Sequence, residues 1–215
     1  MFIVNFCGLA DKKFLTLLLA NGMTELGDTL IVTEDNSYKY YVDERNRIGS
    51  IQVLFCSIGD LNFKNHVDYD DGIDYQYIIY DTFEKLDDKV DLTVVVRGKQ
   101  RSLMPPIVTE KIDTKDDMPP EIESKEVILT AFYSKWEEGK LHYRDRGYNM
   151  TDKALVVALK PTHYKWLQMV AETKTVVELK DSATKAVIAN IVNDKLKEVS
   201  GKTLMQLSDM ASKPE

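Results

Sequence analysis

Short apolar runs alternate with amphipathic segments along most of the chain. Eight runs rich in β-branched and aromatic residues predict strands at residues 2–6, 29–33, 51–57, 77–81, 92–97, 127–132, 155–160 and 176–179. Most of these runs are continuous, which is typical of strands covered on both faces of a parallel sheet. Helices are predicted at 12–20, 163–171 and 183–199, the last behind a cap at Asp181 or Ser182. The pattern predicts a single α/β domain with a doubly wound, mostly parallel sheet flanked by helices.

Two segments depart from this alternation. Residues 105–123 lie between two Pro-Pro pairs and are rich in acids, so we expect an exposed loop there, with a partner-binding arm as the alternative. The C-terminal tail, 201–215, carries an apolar stripe that would either fold back on the domain or dock on a partner helix. That stripe consists of Leu204, Met205, Leu207 and Met210.

Composition and charge narrow the function classes. The chain is 44% hydrophobic and 29% charged, close to the average of folded soluble proteins. Its 28 Lys and Arg against 35 Asp and Glu give a net charge of −7, which argues against a broad nucleic-acid or anionic-membrane surface. We expect no membrane span and, without a signal-peptide pattern, a cytoplasmic protein. Cys7 and Cys56 each lie in an apolar run, so neither a disulfide framework nor a Cys-based metal site is expected.

The turn after the first strand is the first place to look for chemistry. In a doubly wound domain this turn is the usual phosphate site. Here residues 6–13 read FCGLADKK, followed by the apolar helix segment FLTLLLA at 14–20. Lys12 and Lys13 allow three interpretations: two solvated charges at a helix start, a loop that holds an anion with Lys13 in place of a metal ion, or functional Mg-ATP binding.

These segments, in this order, resemble the ParA/MinD family of P-loop ATPases, whose first turn reads G-K-G-G-x-G-K-T. DYQYIIYDT at 74–82 is similar to the Walker B strand of the family, and VDLTVVV at 90–96 to the strand that follows it. TVVEL at 175–179 and DSATKA at 181–186 are similar to its last strand and closing helix. The resemblance implies a P-loop NTPase-like fold over most of the chain. It also implies a relic nucleotide- or anion-binding site at Gly8, Asp11, Lys12, Lys13 and Asp81.

The chain departs from the family at the residues that carry its chemistry. Aligned on Lys12, the family's first and last glycines and its magnesium-ligating Thr are replaced by Phe6, Asp11 and Lys13. A phosphate cradle needs converging backbone N–H groups without a Cβ in the way, and an ammonium repels Mg²⁺. Cys7 stands at the signature lysine that reaches the phosphates of a dimer partner. We therefore expect no hydrolysis and no required cofactor, with ATP binding as the remaining alternative.

The other candidate residues carry weaker signals. Asp81 could be a Walker B acid, but without a metal-ligating Thr a cap on the following turn is the favoured interpretation. No second ligand stands at metal spacing from His66, His142 or His163, so no metal site is expected. The acids at 68–74 are interpreted as a solvated turn. Residues 140–148, KLHYRDRGY, interleave bases and aromatics as a nucleic-acid contact does, against the alternative of an exposed loop.

The sequence leaves two main functional hypotheses. In the first, the protein is a catalytically inactive ParA/MinD-like scaffold or adaptor, with a protein partner in a positioning, partition, pilus or secretion assembly and a homodimer as its expected form. In the second, it is a divergent ATP-dependent switch with weak nucleotide binding. Nucleic-acid binding through residues 140–148 is a third and least supported alternative.

Overall fold

A computed structural model of the protein describes residues 1–56, 72–86, 90–98, 124–131, 134–137, 140–143 and 154–204. The strands are β1 (Phe2–Cys7), β2 (Thr29–Thr33), β3 (Arg47–Ile48), β4 (Ile51–Phe55), β5 (Tyr77–Thr82), β6 (Leu92–Gly98), β7 (Ser124–Ala131), β8 (Ser134–Glu137), β9 (Lys140–Tyr143) and β10 (Ala154–Leu159). The α-helices are α1 (Lys13–Thr24), α2 (Pro161–Thr173) and α3 (Ser182–Ser200), and a 3-10 helix spans Asn36–Tyr40.

Eight of these strands form one sheet in the spatial order β10-β7-β6-β1-β5-β2-β4-β3. Every neighbouring pair is parallel except β3 and β4. β8 and β9 form a separate antiparallel pair. The predicted α/β class and mostly parallel sheet are confirmed.

The first strand lies in the middle of the sheet. All residues of β1 are buried, and the strand pairs with β5 on one side and β6 on the other. A run without polar alternation suits this position, because both faces of a central parallel strand are covered. Since parallel strands end at the same edge, the segments that follow β1, β2 and β5 are brought together there.

The three α-helices in the described part of the chain pack on one face of this sheet. Their buried side chains join alternate residues of the strands in the larger hydrophobic cluster, while Ile3, Leu30 and Ile78 belong to a smaller cluster on the other face. α1 is buried nearly all round, as its apolar sequence predicts. Asp181 caps α3 by accepting from the Thr184 N–H at 3.0 Å, which confirms the predicted cap. Helices on both faces, as in a doubly wound fold, stay a prediction.

One predicted strand is wrong. Residues 176–179 form no strand; Val177 accepts a 2.7 Å hydrogen bond from the indole of Trp166, and Leu179 is buried in the core. This connection is held against α2 by side-chain contacts, and a short apolar run does not distinguish such packing from a strand.

Several predictions fall partly or wholly outside the described residues. They are the loop at 105–123, the acids at 68–71, residues 144–148 of the basic-aromatic run, and the tail beyond Leu204. Leu204 itself packs against the core, with its N–H donated to the Asn193 side chain at 2.9 Å. None of the helices placed by the structure has the length and apolar character needed to cross a bilayer.

Gly8 is required by the close approach of β1 to β6. Its φ is +118°, and a Cβ at this position would lie 2.2 Å from the carbonyl oxygen of Val96. We predict that Gly8→Ala lowers the free energy of unfolding far more than Gly201→Ala. Gly201 also has a positive φ, of +70°, but open space around it, so its replacement carries only a backbone cost of about 1–2 kcal/mol. Urea unfolding of both variants measures this, and equal losses would contradict the packing role of Gly8.

Candidate functional site

The candidate site lies where β1 and β5 end side by side. Phe6 pairs with Asp81 in the parallel register, so the loop that follows β1 starts beside the Asp81 carboxyl group. This loop, residues 8–12, leads directly into α1. The arrangement brings Gly8, Asp11, Lys12, Lys13 and Asp81 to one edge of the sheet. That they form a relic nucleotide- or anion-binding site stays a prediction.

Lys12 is turned inward beneath its own loop. Its ammonium lies 3.1 Å from Asp81 Oδ1, donates to the carbonyl oxygen of Gly8 at 2.6 Å and to that of Ala10 at 3.3 Å. Only 4% of the residue is exposed. The loop therefore presents carbonyl oxygens to a cation, whereas a phosphate cradle presents N–H groups to an anion.

Asp81 is the buried centre of this network. Besides Lys12, its carboxylate accepts from the Tyr38 hydroxyl at 2.7 Å and from Thr16 at 3.4 Å, both on Oδ2. Burial raises the pKa of Asp81 above its usual range, and the charge of Lys12 offsets part of that rise. Burial, and next the Asp81 charge, raise the pKa of Tyr38 well above its usual value. The hydroxyl therefore stays protonated and is a donor.

The prediction that Asp81 caps the next turn is not supported by these contacts. Within the described part of the chain, its carboxylate contacts Lys12, Thr16 and Tyr38. The N–H groups of that turn go elsewhere: Phe83 donates to the Glu34 carboxylate, and Leu86 to the Asn5 side chain at 3.1 Å. Asp81 lies on the same face of β5 as Ile79, which packs in the core with α1, and there its carboxylate meets Lys12 and Thr16.

Lys13 belongs to a neighbouring network. Its ammonium lies 2.8 Å from Asp11 Oδ1, 3.2 Å from Asp35 Oδ2 and 2.8 Å from Ser37 Oγ. Burial lowers the pKa of Lys13, but Asp11 and then Asp35 outweigh burial and leave that pKa raised. With 7% of Lys13 and 4% of Lys12 exposed, the interpretation of two solvated charges is wrong.

A carboxylate already occupies the start of α1. The backbone N–H of Lys13 donates to Asp11 Oδ1 at 3.2 Å, and the Lys13 ammonium contacts the same oxygen. The N-terminus of a helix favours an anion because its first N–H groups lack helical partners. Asp11 supplies that anion from within the chain and adds a negative charge that opposes a phosphate.

Carboxylates of this edge pair with lysine ammonium groups, which compete with a metal ion for the same oxygens. Asp81 contacts Lys12, and Asp11 and Asp35 share Lys13. Among the described residues, no cluster of three or more His, Cys, Asp or Glu side chains has metal-binding geometry. Cys7 is buried beside the loop, and burial raises the pKa of its thiol, so its thiolate form is disfavoured.

A second polar cluster joins β10, α2 and α3. His163 Nδ1 accepts from the Lys160 N–H at 3.1 Å, so Nε2 carries the proton and donates to Asp181 at 3.2 Å. Lys160 Nζ lies 2.7 Å from the same carboxylate oxygen, and the His163 ring stacks on Phe14 of α1 at 4.5 Å. With both ring nitrogens engaged and the ring buried, His163 is a structural group and not a general base.

Sequence reasoning missed the residues that complete these clusters. Tyr38 and Thr16 gave no signal, since a Tyr in a loop and a Thr in an apolar helix are common. Asp35 could have been found, because it follows β2 and the ends of neighbouring parallel strands meet at one edge. The sequence identifies His163 only as a possible metal ligand, because its pairing with Asp181 depends on how the two helices meet.

Comparison with known proteins adds no relative. The chain matches no protein-family model. A search of curated proteins likewise returns no significant match. Its function is therefore argued from the site.

A double-mutant cycle tests whether Lys12 and Asp81 form a structural unit. Asp81→Asn keeps an acceptor for Tyr38 but leaves the Lys12 charge buried alone, so we expect the free energy of unfolding to fall by about 3–5 kcal/mol. Adding Lys12→Met should recover part of that loss, giving a coupling energy above about 1 kcal/mol. Chemical unfolding of the four proteins measures it. Additive losses would contradict the pairing.

The buried His163 predicts a pH dependence of stability. Burial, against the opposing effect of Asp181, lowers the pKa of His163 below its usual 6.5, so the unfolded chain binds a proton more readily than the folded one. The stabilisation that neutral His163 contributes to the fold is therefore present above pH 6.5. It is lost as the pH falls toward the lowered pKa of the folded protein.

In His163→Gln, the side chain keeps a donor and an acceptor but does not titrate. We expect the wild-type protein to lose more unfolding free energy than this variant between about pH 7 and about pH 5. Urea unfolding across this range measures both. Parallel pH profiles would show that His163 does not titrate differently on folding.

Proposed function

We propose that the protein is a catalytically inactive relative of the ParA/MinD ATPases that works as a scaffold or adaptor. The observation that carries this proposal is the inward position of Lys12, which pairs with Asp81 and binds the carbonyl oxygens of its own loop. In an active P-loop the lysine reaches the phosphates, and the loop N–H groups surround them. Here the Lys12 ammonium donates its hydrogen bonds to the carbonyl oxygens of its own loop instead.

The P-loop NTPase-like fold is part of this proposal. It is supported by a central strand, a tight loop and a buried helix in that order, with Asp81 next to the last residue of the adjacent strand. The same placement supports the second candidate, a divergent switch in which nucleotide displaces Lys12 from Asp81. Against that candidate stand the Asp11 carboxylate at the helix N-terminus and the ammonium of Lys13 where a magnesium-ligating hydroxyl is needed.

An adaptor acts through partners, and we propose a protein partner in a positioning, partition, pilus or secretion assembly. These settings come from the family resemblance. We further propose a homodimer whose assembly does not respond to nucleotide, because Cys7 replaces the lysine that would contact the phosphates of a second subunit. Permanent interfaces of this kind are large and mainly apolar.

The direct test is turnover of ATP and GTP with Mg²⁺. We predict no phosphate release above background, because Asp11 and Lys13 oppose phosphate and metal charge in turn. Lys13→Thr should not restore activity, since Phe6 and Asp11 remain in the loop. A clear rate that disappears in Lys12→Ala would reject the proposal and favour the divergent switch.

The oligomeric state gives an independent prediction. Light scattering should report the same mass with and without Mg-ATP, because Cys7 stands where the family's lysine would contact the phosphates of a second subunit. A monomer that dimerises only after ATP is added would contradict the adaptor proposal.

A further inference from the structure

Two large apolar side chains are exposed at the loop of residues 8–12, whose carbonyl oxygens bind the Lys12 ammonium. Leu9, in the loop after β1, is 89% exposed, and Phe83, just after β5, is 43% exposed. The Gly8 N–H donates to the Phe83 carbonyl oxygen at 3.1 Å, which ties the two segments together. Both residues lie outside the core, at the edge of the sheet where β1 and β5 end.

The two segments are held in place by buried contacts. Lys12 binds the carbonyl groups on either side of Leu9 and lies 5.6 Å from the centre of the Phe83 ring. The Phe83 N–H donates to the Glu34 carboxylate. Leu9 is therefore presented by a fixed loop, so little conformational entropy is lost when another molecule binds it.

Among the described residues, the charges around this pair are mainly acidic. Asp11 and Glu84 are exposed beside Leu9 and Phe83, and the half-buried Glu34 contacts the same turn. In the described part of this turn Lys85 is an exposed base, while Lys12 and Lys13 are buried against carboxylates. A surface of this kind complements a partner that is apolar at its centre and basic around it. It disfavours an anionic membrane.

We propose that Leu9 and Phe83 are the centre of a docking surface for a protein segment with an apolar side chain flanked by Lys or Arg. This inference rests on the proposed adaptor function and names its binding surface and the chemistry of its partner. The loop that would hold a phosphate in an active relative would then hold Leu9 in a fixed position for a protein.

Selection from a random peptide display library on the whole protein tests this without a known partner. We expect enrichment of peptides that place an apolar residue between Lys or Arg residues. A synthetic peptide of the enriched sequence should bind at least tenfold more weakly to Leu9→Ser and to Phe83→Ser, and more weakly as salt increases. Met169→Ser, which removes an exposed apolar side chain on α2, is the matched control and should bind unchanged.

Each other outcome overturns the docking surface. These outcomes are no enrichment, enrichment of peptides without bases, or equal binding to Leu9→Ser. Unchanged urea midpoints in the serine variants would show that the fold is intact. The proposed function fails separately: nucleotide turnover together with Leu9-dependent peptide binding would reject the inactive adaptor and keep the surface. Absent turnover with no peptide binding would reject the surface alone.

Discussion

The ion pair between Lys12 and Asp81 is the contact on which the rest of the site depends. Two opposite charges buried at 3.1 Å are stable only with further hydrogen bonds, which Tyr38, Thr16 and two loop carbonyl groups supply. These bonds in turn fix the loop after β1 and join α1 to β5. A phosphate would have to break this network before it could bind. In the proposed function, this pair keeps nucleotide out of the loop and holds the loop in one conformation.

Other charged groups at this edge of the sheet are also paired within the chain. Lys13 is neutralised by Asp11 and Asp35, and Asp11 also accepts the first free N–H group of α1. Leu9 and Phe83 are exposed at this edge, beside the exposed acidic side chains of Asp11 and Glu84. In the proposal, this apolar surface with acidic surroundings binds a protein segment.

The sequence predicts the fold better than it predicts the site. Continuous apolar runs identify central strands such as β1 and a fully buried helix such as α1, because burial on all sides removes polar residues from the pattern. The run at 176–179 misleads, since hydrophobicity reports burial and not strand pairing.

The partners Asp81, Asp35 and Ser37 come from β5 and from the segment after β2, so the burial of Lys12 and Lys13 depends on strand order, which local pattern does not determine. The edge position of Asp81 was predictable from its place at a strand end. Its hydrogen bonds to Tyr38 and Thr16 were not predictable, because they depend on which face of the sheet the carboxylate lies on.

The most direct test is a crystal structure of the protein grown with saturating Mg-ATP. The account predicts that the Lys12 ammonium remains on the Gly8 carbonyl oxygen and on Asp81, near the present 2.6 Å and 3.1 Å, with no nucleotide in the loop. Lys12 turned outward onto a phosphate, with the loop N–H groups converging on it, would contradict the account.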